Sequence, residues 1–173
     1  MKSKIYDYEK RLERYRRIIA GFGRNGEVVL RFLDHLASLG LSTARISKVA
    51  GHLPALLRII DFDLEGATKH DVERVVAWIN RNPSYRELTK RDKKLVLRKL
   101  IQYAKVGRCD RDATMPPEVS WIRLSVKDGN GRVTPEALLE DKDVKAMVEA
   151  ADNPRDRAMI HVLFEAALGP ASC

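Results

Sequence analysis

Arg91, Lys94, Arg98, Gln102 and Lys105 stand three or four residues apart, with Thr89, Lys90 and Lys99 beside them. At helical spacing the five fall one turn above another on a single face. A row of cations at that pitch suits a phosphate backbone, because each neutralised phosphate releases counterions and adds affinity independent of base sequence. Arg and Gln also carry the donors that reach base edges in a major groove. Between Thr89 and Val106 only Asp92 is acidic, whereas a helix face that merely meets water mixes signs to gain i,i+4 pairs. A shorter row, Arg45, Lys48 and His52, has the same spacing. Thr43 precedes it, where a helix start offers a hydroxyl and open backbone N–H groups to phosphate. The competing reading of both rows is a solvated basic face with no partner.

Other reactive constellations are missing from the chain. It contains neither a Gly-x-x-x-x-Gly-Lys-Ser/Thr phosphate loop nor a His-Glu-x-x-His pair, and Gly21-Phe22-Gly23 lacks the preceding strand and third glycine of a dinucleotide site. His35, His52, His70 and His161 are isolated from one another in sequence. The pairs Asp61/Asp63 and Asp141/Asp143 have no third ligand nearby and read as loop and helix-start residues. Cys109 and Cys173 stand far apart with no Cys-x-x-Cys, so neither a disulfide scaffold nor a zinc site is supported. A reducing, cytoplasmic setting fits this cysteine usage. No metal and no cofactor is expected.

The chain that must position these rows has 173 residues, 45% hydrophobic and 32% charged, enough apolar content for a core. Its longest apolar run is far below the roughly 18 residues of a membrane span. Its first ten residues, Met1 to Lys10, lack the apolar stretch of a secretory signal. The net charge of +8 is unevenly spread: +5 in residues 1–24, −1 in 25–80, +8 in 81–111, 0 in 112–133 and −4 in 134–173. Two short stretches carry the whole surplus, as expected of a chain with a polyanionic partner.

Helical periodicity dominates, which predicts an all-α fold. A first helix is expected over residues 3–20, then a glycine break at Gly21, Gly23 and Gly26. A second covers 26–39, with Val29, Phe32, Leu33, Leu36 and Leu39 inward. Ser42 caps a third, to about Ile60, which Pro54 should kink. Thr68 caps a fourth over 69–80, and Thr89 a fifth that ends before Gly107. Pro116, Pro117, Gly129 and Gly131 then interrupt the pattern, and only Trp121 to Val126 looks extended, so residues 108–134 read as a linker. Helical pattern returns over 135–151, with Leu138, Leu139, Val144, Met147 and Val148 inward. It appears again from Pro154 through Leu168, with Ala158, Ile160, Leu163, Phe164 and Ala167 inward. The expected divisions are a basic N-terminal helix over 1–24, a helical bundle over 25–107, the linker over 108–134 and a last segment over 135–173.

Three stretches carry a family resemblance. Thr89-Lys90-Arg91-Asp92-Lys93-Lys94, running into Leu97 through Tyr103, resembles the last helix of the core-binding domain of archaeal tyrosine recombinases, the phage-integrase family. Pro117 through Arg123 resembles the linker of that branch, and Glu149 through Ile160 with Leu163-Phe164-Glu165 resembles the opening of the family's catalytic domain. The resemblance spans about residues 25–168. It implies a small, SAM-like helical bundle that forms one half of a clamp on double-stranded DNA. A linker follows, then two helices that open a truncated catalytic domain. It also implies a function in DNA integration and recombination, with other recombinase subunits as partners in a synaptic assembly. Members attack a DNA phosphate with a tyrosine, while two arginines, a lysine and histidines stabilise the transition state. The place of the first arginine is taken here by Gly169, which offers no charged fork. Tyr6, Tyr8, Tyr15, Tyr85 and Tyr103 all lie outside the nucleophile's context, so no catalytic residue is assigned. A shortened chain, a split or decayed integrase and a piece of a longer protein remain open. A non-catalytic regulatory or protein-interaction module derived from an integrase, and an RNA-binding helical protein, are the rival readings.

The resemblance predicts a chain unable to cut DNA by itself. Incubated with a nicked suicide duplex that traps covalent intermediates, it should leave no protein–DNA adduct. An adduct mapped to any of the five tyrosines contradicts the expectation.

Overall fold

The cap signals in the sequence act where the residues place them. The computed structural model describes residues 7–125 and 139–168, and every regular element among them is helical. Tyr6, Val126, Leu138, Gly169, Cys173 and the expected helix start at residue 135 lie outside the described residues. Contacts divide the chain into one unit over residues 1–126 and another over 127–173.

In the first unit, α1 (Tyr8–Ala20) is followed by α2 (Gly23–Ser38), α3 (Thr43–Leu57), α4 (Lys69–Arg81), α5 (Glu87–Val106) and the single turn α6 (Pro117–Ser120). The Ser42 hydroxyl accepts from the Arg45 N–H at 3.5 Å to start α3. Thr68 and Asp71 form a reciprocal capping box at the start of α4: Thr68 Oγ1 accepts from Asp71 N–H at 3.2 Å, and the Asp71 carboxylate from Thr68 N–H at 3.0 Å. Gly107 ends α5 at φ 75°, a left-handed conformation that an L side chain resists, and its N–H donates to the Tyr103 carbonyl at 2.7 Å. Pro54 lies buried inside α3, which continues to Leu57, one residue short of a further turn. The expected end near Ile60 moves back because Arg58 closes the helix.

The core is made where α2, α3, α4 and α5 meet. Phe32, Leu33, Leu53, Leu56, Ile79, Leu97, Leu100 and Ile101 are fully buried there. The unit extends beyond the expected 25–107 at both ends. α1 packs along α3, and Ile19 is fully buried. Small residues make that approach close: the Tyr15 ring lies 3.3–3.5 Å from where a side chain on Gly51 would begin. Residues 109–124, expected as linker, instead fold back over α5 and α4, burying Cys109, Val119 and Ile122. The extended-looking segment forms no strand: Trp121 ends α6 with its indole N–H on the Glu118 carbonyl at 2.7 Å.

The second unit holds α7 (Asp141–Ala150) and α8 (Pro154–Leu168), which pack on each other. The Asp143 carboxylate accepts from Glu140 N–H at 2.9 Å, and Asn153 Oδ1 from Asp156 N–H at 2.8 Å. Of the expected inward residues, Val144 is buried, but Leu139, Met147 and Leu163 are 57%, 43% and 64% exposed. Two helices have only one mutual seam, so the remaining apolar positions stay uncovered.

If α1 belongs to the core, Ile19→Ala should lower unfolding stability by about 2–5 kcal/mol, the range for an aliphatic side chain removed from a packed interior. Urea denaturation followed by far-UV dichroism measures this. A loss below about half a kcal/mol, typical of surface positions, contradicts it.

Candidate nucleic-acid interface

α5 is an amphipathic helix with core on one side, so its polar face should be free. The structure leaves only part of it free. Gln102 is 2% exposed, and its side-chain amide nitrogen, Nε2, donates to the carbonyls of Ala113 and Thr114 at 3.0 and 3.1 Å. Buried there, it does not reach a DNA base. Its neighbours on the row are drawn to the same returning segment. Arg98 Nε lies 3.4 Å from Met115 Sδ, and Lys105 Nζ lies 3.9 Å from the Glu118 carboxylate. The C-terminal half of the expected phosphate row therefore serves as the seat of residues 113–118.

The N-terminal half stays open. Arg91 is exposed and Lys94 half-buried, and neither forms an ion pair among the described residues. Lys90 bonds Glu87 at 2.9 Å. Thr89 does not cap the helix as expected, because α5 begins earlier, at Glu87, with Arg86 preceding it; Thr89 falls within the first turn, half-buried. Lys93 lies on the core side, four residues before Leu97, and is 5% exposed with its ammonium 4.7 Å from the centre of the Tyr85 ring. Burial pushes its pKa down, and the aromatic face offsets part of the desolvation.

The α3 row sits beside α5, as the pair of rows requires, but it meets a different face. Lys48 Nζ bonds the Asp92 carboxylate at 2.8 Å. Arg45, Lys48 and His52 then border a groove of about 540 Å³ shared with Leu95 and Lys99 of α5. Asp92 and Lys99 are offset by one residue from Arg91 and Arg98, so the two cationic faces lie roughly 100° apart around the helix. Thr43 is exposed at the first position of α3. Arg45 is exposed and its guanidinium has no acidic partner among the described residues. His52 is not the cation expected of it. Burial lowers its pKa, Lys93 and Lys48 act in the same direction, and Asp92 opposes them, so the imidazole is neutral at pH 7.

Spacing names Lys99 only as a flank of the α5 row and assigns neither Arg111 nor His35 to this surface. Lys99 turns to the groove and donates to the Cys109 carbonyl at 3.1 Å. Arg111 lines the same groove. His35 Nε2 accepts from the Cys109 N–H at 3.2 Å across 74 positions of sequence, which fixes the segment bearing Arg111 against α2. Next to it, Arg108 holds Asp110 through bonds of 2.7 and 2.8 Å and lowers its pKa to about 2. No periodic signal marks such a loop. Lys93 was missed as well, although it continues the stripe of Leu97, Leu100, Ile101 and Ala104 by one turn.

The His52 environment sets a pH dependence. A folded-state pKa below the unfolded value means that the unfolded chain binds more protons in acid. The stability due to neutral His52 is thus complete above its ordinary value of 6.5 and is lost as pH falls through the lower folded value. The urea midpoint should drop between about pH 7.5 and about pH 5, and His52→Gln should remove part of that drop. An identical pH profile in the variant contradicts the burial argument.

Comparison of the chain with protein-family models, with curated proteins and with solved structures finds no match to any of them.

Proposed function

We propose that the first unit binds double-stranded DNA as the SAM-like core-binding half of a site-specific tyrosine recombinase, in a cytoplasmic setting, and that α7 and α8 open that protein's catalytic domain. The observation that carries the reading is the combination of charge and availability on α5. The +8 segment over residues 81–111 includes this helix; at its N-terminal half Arg91 is exposed and Lys94 half-buried, and neither forms a direct ion pair among the described residues. Arg45 adds a further free cation on the neighbouring helix α3. Arg86 extends the series one turn before Lys90 and is also exposed. The spacing of Arg86, Lys90, Arg91 and Lys94 suits successive phosphates of a strand.

The binding derived from this surface is backbone-directed. With Gln102 buried and Arg98 drawn to Met115, Arg91 is the one side chain of the row left exposed that could make a bidentate base contact. Affinity then depends on phosphate neutralisation and shows little sequence preference from α5. The remaining chemistry of recombination is not assigned to any residue of this chain. Among the described residues no helix is long and apolar enough to cross a membrane.

Affinity for a labelled duplex should fall by about 10³-fold or more between 50 and 200 mM salt if about six phosphates are engaged. Arg91→Ala with Lys94→Ala should reduce the salt slope by nearly one unit per residue. Melting temperature should hardly move, since exposed charge substitutions usually change stability by less than about half a kcal/mol. Lys142→Ala with Lys145→Ala serves as the control. Affinity that is flat with salt contradicts the proposal, and equal losses from both pairs point to net charge rather than to this surface.

A further inference from the structure

The groove bordered by α2, α3 and α5 has a composition that DNA does not explain. Its accessible lining is apolar, made by half-buried Leu41, Val49 of α3 and Leu95 of α5, with the core residues Phe32, Leu36 and Val96 buried beneath them. Leu39 stands at its edge and is 40% exposed. A phosphate backbone offers nothing to cover such a surface. The volume of about 540 Å³ lies within the range of roughly 300–1,000 Å³ seen for ligand sites. The groove is neither an enclosed cavity nor a flat surface, so a partner's side chains can enter it from outside.

Charge specifies that partner. Arg45 and Lys48 stand on the α3 wall, with Lys99 and Arg111 on the opposite one. The two acids at the rim are already engaged: Asp92 bonds Lys48 at 2.8 Å, and Asp110 bonds Arg108 at 2.7 and 2.8 Å. Arg45 and Arg111 are exposed, and neither has an acidic partner among the described residues. The apolar floor is thus flanked on both sides by unneutralised cations.

We propose that this groove receives an amphipathic helix of a protein partner, with an apolar ribbon at i, i+3, i+4 and i+7 and carboxylates along both of its flanks. Helix-in-groove recognition draws affinity from such anchors, and the charged rim fixes orientation and rejects basic helices. The inference is independent of DNA binding, because it uses the face of α5 bearing Leu95 and Lys99 rather than that bearing Arg91 and Lys94. The two surfaces use different faces of α5, and the one residue assigned to both is Arg45 of α3.

The test uses a fluorescein-labelled designed helical peptide with leucine at the four anchor positions and glutamate on both flanks, titrated into the full chain and read by anisotropy. The expected result is saturable binding. Leu39→Glu should weaken it at least tenfold, as should Arg45→Glu combined with Arg111→Glu. These positions are exposed, and unchanged melting curves establish that the variants fold. A peptide with lysine in place of glutamate should bind at least tenfold more weakly. Arg91→Ala with Lys94→Ala should leave peptide affinity unchanged while reducing affinity for duplex DNA, so failure of either surface is read separately. Absence of peptide binding at millimolar protein, equal binding of the lysine peptide, or unchanged affinity in Leu39→Glu overturns the proposal.

Discussion

Gln102 gives both hydrogens of its amide to the carbonyls of Ala113 and Thr114, and this pair of bonds determines which faces of α5 are available. A buried amide must find partners, because leaving it unsatisfied costs about 1–3 kcal/mol. Two main-chain carbonyls from one segment satisfy it and bring that segment down onto the helix. Once they are placed there, Met115 reaches Arg98 and Glu118 reaches Lys105. Val119 and Ile122 complete the arrangement by entering the core. α5 is consequently covered by its core partners on one side and by its own continuation on another. What remains is a narrower cationic surface near its N-terminus and the flank that meets α3.

The basic character of the protein divides accordingly. Some cations hold the fold. Arg16 bonds Asp34 at 2.8 Å, Arg74 bonds Asp61 at 2.6 Å, and Arg24 and Arg31 meet at Glu65 at 2.8 and 3.2 Å. Pairs this exposed contribute little stability individually, but they remove charge from the outward field. Asn25 does firmer positioning, with its amide on the Phe62 carbonyl at 2.8 Å and its oxygen on Leu64 N–H at 3.1 Å. Arg45, Arg86, Arg91 and Arg111 belong to the other class, exposed and without an acidic partner among the described residues. A polyanion or an acidic partner is read by this second class, so a count of lysine and arginine overstates the charge on offer.

The groove and the phosphate row illustrate how one helix supports two unlike surfaces. Asp92, Leu95 and Lys99 follow one line along α5, and Arg91, Lys94 and Arg98 follow another. At 3.6 residues per turn, these lines are neighbours that never merge. The first meets α3 and becomes the wall of an apolar groove, while the second meets only water at its N-terminal end. His52 sits at the junction as a neutral group, because burial and two nearby ammonium groups disfavour its proton.

Much of the local structure was determined by the sequence alone. Ser42, Thr68 and Gly107 mark helix ends by chemistry that acts within four residues, and Pro154 opens α8 because a first-turn position needs no N–H donor. The inward stripes of α2, α4 and α5 follow from period alone. Tertiary structure decided the rest. Residues 109–124 carry prolines and no period, so nothing local distinguishes a linker from a segment that packs; their fate depends on Gln102, His35 and the core, distant in sequence. The same holds for α1, which is held by the close approach of Tyr15 to Gly51 on α3 and by the Arg16–Asp34 bonds to α2, partners distant in sequence. Which cations face outward is likewise a tertiary outcome, because a helical row specifies neighbours along its own axis and not what the chain later lays across it.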